Sequence, residues 1–230
     1  MALTPALQKF TTASPVIASY NWQDMITGIG YLELKGTILE TTFENYLGNT
    51  GILTSFNRKG PQPYNKFLHR VPANDIEMLE LISPKFSYSK ILEGTAYVSF
   101  TWAIASTSGS AAASQIRSIE IKLYKNDTLI ASTSTDTLTK SSGGADSAGP
   151  KIELLPFEIP KTIINVDDTL TIKLISIYEN DDSGTYYTYT YVAANVLDEE
   201  IIVNEGGGGE VTFPAGTTKF ITYLPFKTDL

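Results

Sequence analysis

Apolar and polar residues alternate with a period of two along most of the second half of this chain. Ile119-Glu120-Ile121-Lys122-Leu123-Tyr124 and Leu170-Thr171-Ile172-Lys173-Leu174 keep the alternation strictly, and Tyr186 to Val192 continues it. A strand sends successive side chains to opposite faces, so the pattern predicts strands with one face in a core. Glu93 to Ile104 places Ala96, Val98, Phe100, Trp102 and Ile104 on a single face. Ile116 to Tyr124, the turn Lys125-Asn126-Asp127 and Thr128 to Thr135 read as a hairpin. Ile152 to Ile159 reads as a short strand, and its Pro156 suits an edge position because proline cannot donate to a ladder. Asn165 to Asp168 turns into a long strand, Thr169 to Tyr178. Glu179 to Gly184 then turns into Thr185 to Leu197, and Phe220 to Phe226 supplies the last strand.

The first third is less regular. Tyr31 to Leu39 predicts a strand with Leu32, Leu34 and Ile38 on one face, and Gly36 within it marks a bulge or a close backbone approach. Tyr46 to Phe56 is extended but broken by Gly48 and Gly51. Asn57 to Asn74 reads as a loop, given Gly60, Pro61, Pro63 and Pro72. One short helix is expected over Asn74 to Leu81, with Asn74 as its cap and Asp75 and Glu77 in the first turn. Residues 1–25, with Pro5 and Pro15, form an extended N-terminal arm that docks on neighbouring subunits or adds a strand to its own domain. Residues 26–230 are expected to form a single all-β domain, an antiparallel β-sandwich of about eight to ten strands.

Composition narrows the function classes. The 230 residues include 13 Tyr, 10 Phe and 2 Trp, enough aromatic mass for a full core. There is no cysteine, which fits folding in a reducing cytosol, and His69 is the only histidine. The net charge of −8 is unevenly spread, with +1 on residues 1–90 and −9 on residues 91–230. From Glu179 to Thr218 there is no basic residue, so this part is expected to repel nucleic acid and anionic membrane. Met1 to Trp22 carries only Lys9 as a cation and no continuous apolar segment, and reads as no secretion signal. No stretch approaches the ~20 apolar residues of a membrane span.

Candidate chemistry is sparse. Cys/His zinc sites of the usual kinds have no ligands to draw on, and no G-x-S-x-G surrounds a serine for His69 to activate. Glu179, Asp181 and Asp182 invite a Ca²⁺ reading, but position 12 of an EF-hand loop is Thr190, so a solvated hairpin turn is preferred. Gly28-Ile29-Gly30 has Glu33 where a dinucleotide fingerprint needs glycine, and a strand follows it. Tyr187, Tyr189 and Tyr191 share one face of a predicted strand. That row reads as an interface or aromatic ladder first and as a sugar platform second. Arg58, Lys59, Lys66 and Arg70 are interleaved with Phe56, Tyr64 and Phe67. They are expected to form a basic docking loop for an acidic neighbouring copy or scaffold.

Three stretches carry a family likeness. Ala18 to Tyr31, Leu92 to Val98 and Pro160 to Ile172 resemble, in turn, three parts of one fold. These are the entry segment, the opening of a central strand and the late turn-and-strand of jelly-roll virion structural proteins of prokaryotic viruses. The likeness spans roughly residues 18–178, and the acidic, glycine-bearing stretch Leu197 to Glu210 has no counterpart in it. It implies a jelly-roll sandwich and a non-enzymatic, capsid-associated role as a decoration or cement protein, a vertex or spike subunit, or a fibre. It also implies a homo-oligomer, a trimer or other ring, that contacts other virion proteins without cofactor, nucleic acid or membrane. The protein would be made in the host cytoplasm and work in the virion. Two alternatives come from other classes. A lectin-like receptor-binding module would hold a host glycan on Tyr187, Tyr189 and Tyr191. A hydrolase would pair carboxylates ~5–10 Å apart, drawn from Asp167, Asp168, Glu179 and Asp182.

Overall fold

The computed structural model describes residues 18–19, 29–38, 49–54, 64–70, 76–106, 115–140, 147–178, 187–193, 200–204, 210–215 and 220–227. Every regular element among them is a strand. The first group is β1 (Ala18–Ser19), β2 (Ile29–Ile38), β3 (Asn49–Thr54), β4 (Tyr64–Arg70), β5 (Ile76–Ile82) and β6 (Lys90–Ser106). There follow β7 (Gln115–Lys125), β8 (Thr128–Ser134), β9 (Leu138–Lys140), β10 (Ser147–Ile164) and β11 (Leu170–Tyr178). The last are β12 (Tyr187–Ala193), β13 (Ile201–Asn204), β14 (Glu210–Phe213) and β15 (Ile221–Lys227).

β6 organises the sheet. One of its edges pairs with β10, from Lys90 opposite Ile164 to Ala105 opposite Ser147. The other edge is divided, with β15 taking Leu92 to Ser99 and β12 taking Thr101 to Ser106. From β15 the order runs β2-β3-β5-β11-β7-β8, and from β12 it passes to β4. All these pairings are antiparallel except that of β3 with β5. β13 and β14 form a separate two-stranded ribbon.

Two layers result, β10-β6-β15-β2 and β5-β11-β7-β8, with their inner faces in one buried cluster. Leu92, Ala96, Val98, Phe100, Trp102 and Ile104 of β6 meet Ile119, Ile121 and Leu123 of β7 and Leu170, Ile172 and Leu174 of β11 there. Each leucine, isoleucine, valine or phenylalanine among them contributes about 1.5–3 kcal/mol on full burial. Where the layers come together, Thr133 Oγ1 of β8 donates to the Pro156 carbonyl of β10 at 3.3 Å. The fold is therefore all-β and mostly antiparallel, with sandwich-like layering, as the alternation predicts. The predicted hairpin is also present, as β7 and β8 paired across Asn126 and Asp127.

Three local expectations are corrected. The helix over Asn74 to Leu81 is instead β5, held between β3 and β11. A register shift in β5 explains the misreading: Leu79 pairs with Leu174 and Glu77 with Ile175, which leaves Met78 as an extra residue. Met78 and Leu79 are consequently both buried, and consecutive inward residues imitate a helical period. The expected loop Asn57 to Asn74 contains the strand β4, which pairs with β12. The short strand Ile152 to Ile159 is the middle of an 18-residue strand that continues through Pro150, Pro156 and Pro160. β10 tolerates these prolines because, among the described residues, only β6 pairs with it.

Gly36 and Gly51 make room for one core side chain. A Cβ on Gly36 would lie 2.7 Å from Leu81 Cδ1, and one on Gly51 would lie 2.7 Å from Leu81 Cδ2 and 2.5 Å from the Thr37 carbonyl oxygen. The approach at Gly36 is thus made by the side chains of Leu81 and Phe220, where the sequence predicts a bulge or a close backbone approach. Gly51→Ala should destabilise the fold by about 1–3 kcal/mol in denaturant titrations. Trimming Leu81 to Val should restore only part of that loss, because the Thr37 carbonyl is backbone and cannot step aside.

Candidate functional site

The alternation that fills the core also decides what each layer shows outside. On β10-β6-β15-β2, the outward residues stand in cross-strand rows. Pro156, Tyr97, Tyr223 and Glu33 form one row, and Leu154, Ser99, Ile221 and Lys35 the next. Ile152 lies beyond them, opposite Thr101. Ile152 is 62% exposed and Leu154 63% exposed. The tyrosines are half-buried, and the Tyr31 and Tyr97 rings sit 6.4 Å apart and tilted. Burial, reinforced by Glu33, raises the Tyr223 hydroxyl above its usual pKa. Glu33 and Lys35 pair with each other at 2.9 Å, so the patch carries little net charge.

The edge of this face is closed to strand addition. The Pro156 carbonyl points away from β6, toward Thr133, so the nitrogen of Pro156 lies on the same free side and brings no N–H. A partner arriving here meets the side-chain face and not a ladder.

Sequence reasoning missed this face for a definite reason. Ile152 and Leu154 look like core positions, and Glu153 like a surface one. Glu153 is in fact buried, accepting from Trp102 Nε1 at 3.0 Å and pairing with Lys151 at 2.9 Å. The hydrogen bond to Glu153 raises the Lys151 ammonium above its ordinary value. A tryptophan N–H in the core needs an acceptor, and that need was the available signal.

The sequence-predicted site residues fare differently. Register places Tyr187 opposite Arg70, Tyr189 opposite Leu68 and Tyr191 opposite Lys66, which brings the tyrosine row and two of the basic residues onto neighbouring strands. Tyr191 is fully buried, which removes it from any exposed platform. The side chains of Tyr187, Tyr189, Lys66, His69 and Arg70 lie outside the described residues, as do Arg58, Lys59, Glu179, Asp181 and Asp182 entirely. Among the described residues, no three His, Cys, Asp or Glu side chains gather as a metal-binding group.

The opposite layer has a charged outer face. Lys173 bridges Glu77 and Glu80, and Lys122 pairs with Glu120 at 3.0 Å. At the end of this layer, Asp168 clamps the β10–β11 turn to the β7–β8 hairpin. It accepts from Asn126 Nδ2 at 2.9 Å and from the Asn165 N–H at 2.7 Å, and it pairs with Lys125 at 3.0 Å. Asn126, in left-handed backbone (φ 51), in turn accepts from the Thr169 N–H at 3.0 Å. These bonds, that from Asn126 foremost, lower the Asp168 carboxyl from 3.8 to about 2.

No family model matches the chain, and no curated protein matches it. Among solved structures it is similar to an aminopeptidase from the marine sediment archaeon Thaumarchaeota archaeon, with a TM-score of 0.46 and 6% identity over 84% of this chain and 36% of that one. It is also similar to a CocE/NonD family hydrolase from Staphylococcus aureus, with a TM-score of 0.36 and 9% identity over 84% of this chain and 37% of that one. The chain thus spans little more than a third of either protein, and likenesses this distant carry no argument about its activity.

The Asp168 clamp has a pH signature. Its folded-state pKa lies below the unfolded value, so its contribution is complete above that value, near pH 4, and is lost as the pH falls toward 2. Asp168→Asn should melt below the wild type near neutral pH. The gap should close between about pH 4 and pH 2 in a series of thermal melts.

Proposed function

We propose that this chain is a non-enzymatic structural subunit of a virus particle, a jelly-roll domain of the decoration, cement, vertex or spike kind. It works by contact with copies of itself and with other particle proteins. One observation carries this reading: Ile152 and Leu154 stand exposed beside Tyr97 on a strand whose edge is closed by Pro156. Exposed aliphatic and tyrosine side chains on one face are the composition of an interface core.

A second copy of the chain is the occupant that fits. Each copy carries a net charge of −8, so two copies approach with least repulsion where charge is absent. The two rows through Tyr97 and Ser99 offer that, since their Glu33 and Lys35 neutralise each other and the nearest further carboxylate, Glu158, stands outside them opposite Thr95. Copies related by a closed rotation, a trimer or another ring, bury the patch on every subunit. Many modest contacts of this kind add through multiplicity.

The mass of the purified protein in solution, by sedimentation or light scattering, tests the reading. The wild type should form a closed oligomer. Leu154→Asp should weaken association by about tenfold or more, with an unchanged far-ultraviolet circular dichroism spectrum. A wild type that stays monomeric at about 100 μM, or a Leu154→Asp variant of unchanged oligomeric mass, would remove the proposed surface.

A further inference from the structure

We infer that a cleft on the outer face of β5, β11 and β7 binds a neutral saccharide. The cleft has a volume of ≈ 340 Å³, inside the range of about 300–1,000 Å³ common for small-molecule sites. One cross-strand row lines it with Ile82 of β5, Thr171 of β11 and Tyr124 of β7. The next row adds Lys173 and Glu80, and Asp127 stands exposed at the rim.

Charge selects among ligand classes. Lys173 Nζ lies 3.1 Å from Glu77 and 3.2 Å from Glu80, so its charge is already matched twice, and Asp127 adds a further carboxylate. An anionic ligand is repelled. A metal ion finds no cage, because among the described residues no three acids or histidines gather as ligands do. What fits is an uncharged molecule with many hydroxyls and an apolar ring face.

The polar groups are arranged for such a ligand. Lys173 Nζ lies 3.3 and 3.1 Å from the two Glu77 oxygens and 3.2 Å from Glu80. Its three protons are thus taken up, and it serves to hold the Glu80 carboxylate at the cleft as an acceptor for sugar hydroxyls. The Asp127 carboxylate accepts from sugar hydroxyls, and the Thr171 hydroxyl donates or accepts. Tyr124 and Ile82 supply the apolar patch against which the C–H face of a pyranose packs. Lys173 Nζ also lies 5.7 Å from the Tyr124 ring centroid, which fixes the two side chains relative to each other. The rim is built in advance, since Asn126 beside Asp127 is held by Asp168 and by the Thr169 N–H. Little ordering remains to oppose binding.

This inference needs a single copy of the chain and stands apart from the assembly reading. The test is titration of the full chain with glucose, galactose, mannose, N-acetylglucosamine and their β-linked disaccharides, followed by amide NMR. Saturable shifts are expected at Tyr124, Asn126 and Thr171, with dissociation constants of about 0.1–10 mM. Asp127→Ala and Tyr124→Ala should each weaken binding by about tenfold or more, and glucuronate should bind more weakly than glucose by a similar factor. Tyr189→Ala should leave binding unchanged. The inference is overturned by no saturable shift with any of these sugars at about 50 mM, or by binding that Asp127→Ala leaves intact. Glucuronate binding tighter than glucose, or loss of binding in Tyr189→Ala, overturns it equally.

Discussion

The structure depends on one strand having to satisfy neighbours on both edges and a core on one face. β6 is 17 residues long, and its inward side chains from Leu92 to Ile104 are fully buried. A residue slip in its register would turn that whole set outward, so burial fixes the alignment of β10, β15 and β12 together. The sandwich-like layering follows, because β15 leads through β2, β3 and β5 to the layer that covers the same core.

The sequence was most readable where alternation is strict and loops are short. β6, β7 and β11 follow their periodicity closely, and the hairpin at Asn126-Asp127 sits where its turn residues place it. It was least readable where the chain departs from a plain ladder. The extra residue at Met78 made a strand look helical, and the prolines around β4 concealed a strand behind loop chemistry. At β10 the alternation reads as a short edge strand with no inward face assigned, and it is Glu153 that turns inward, held by Trp102 and Lys151. The outer face was therefore hidden for the same reason that the buried glutamate was. Tyr191 had the right alternation but the wrong environment, since its strand runs between β4 and β6 and the side chain is enclosed.

The two layers present different chemistry to solvent. One shows exposed aliphatic side chains and half-buried tyrosines with an internally neutralised ion pair. The other carries paired lysines and glutamates and the Asp168 clamp. A domain with faces this unlike can be fixed in place by one and remain available to solutes by the other. Both surfaces are set mainly by the same alternation that fills the core, and the turns at Asn126-Asp127 and Asp168 complete the second.

The β6–β10 ladder also has a mechanical meaning. β10 begins beside the end of β6, at Ala105, and finishes beside its start, at Lys90. Opposed tension applied at the first residue of each strand would slide one along the other. Ladder hydrogen bonds in an antiparallel pair lie across the strand axis, so such a load is shared by all of them at once. A pull across the strands would instead open them one after another, and the molecule is accordingly stiff in one direction and weak in the other.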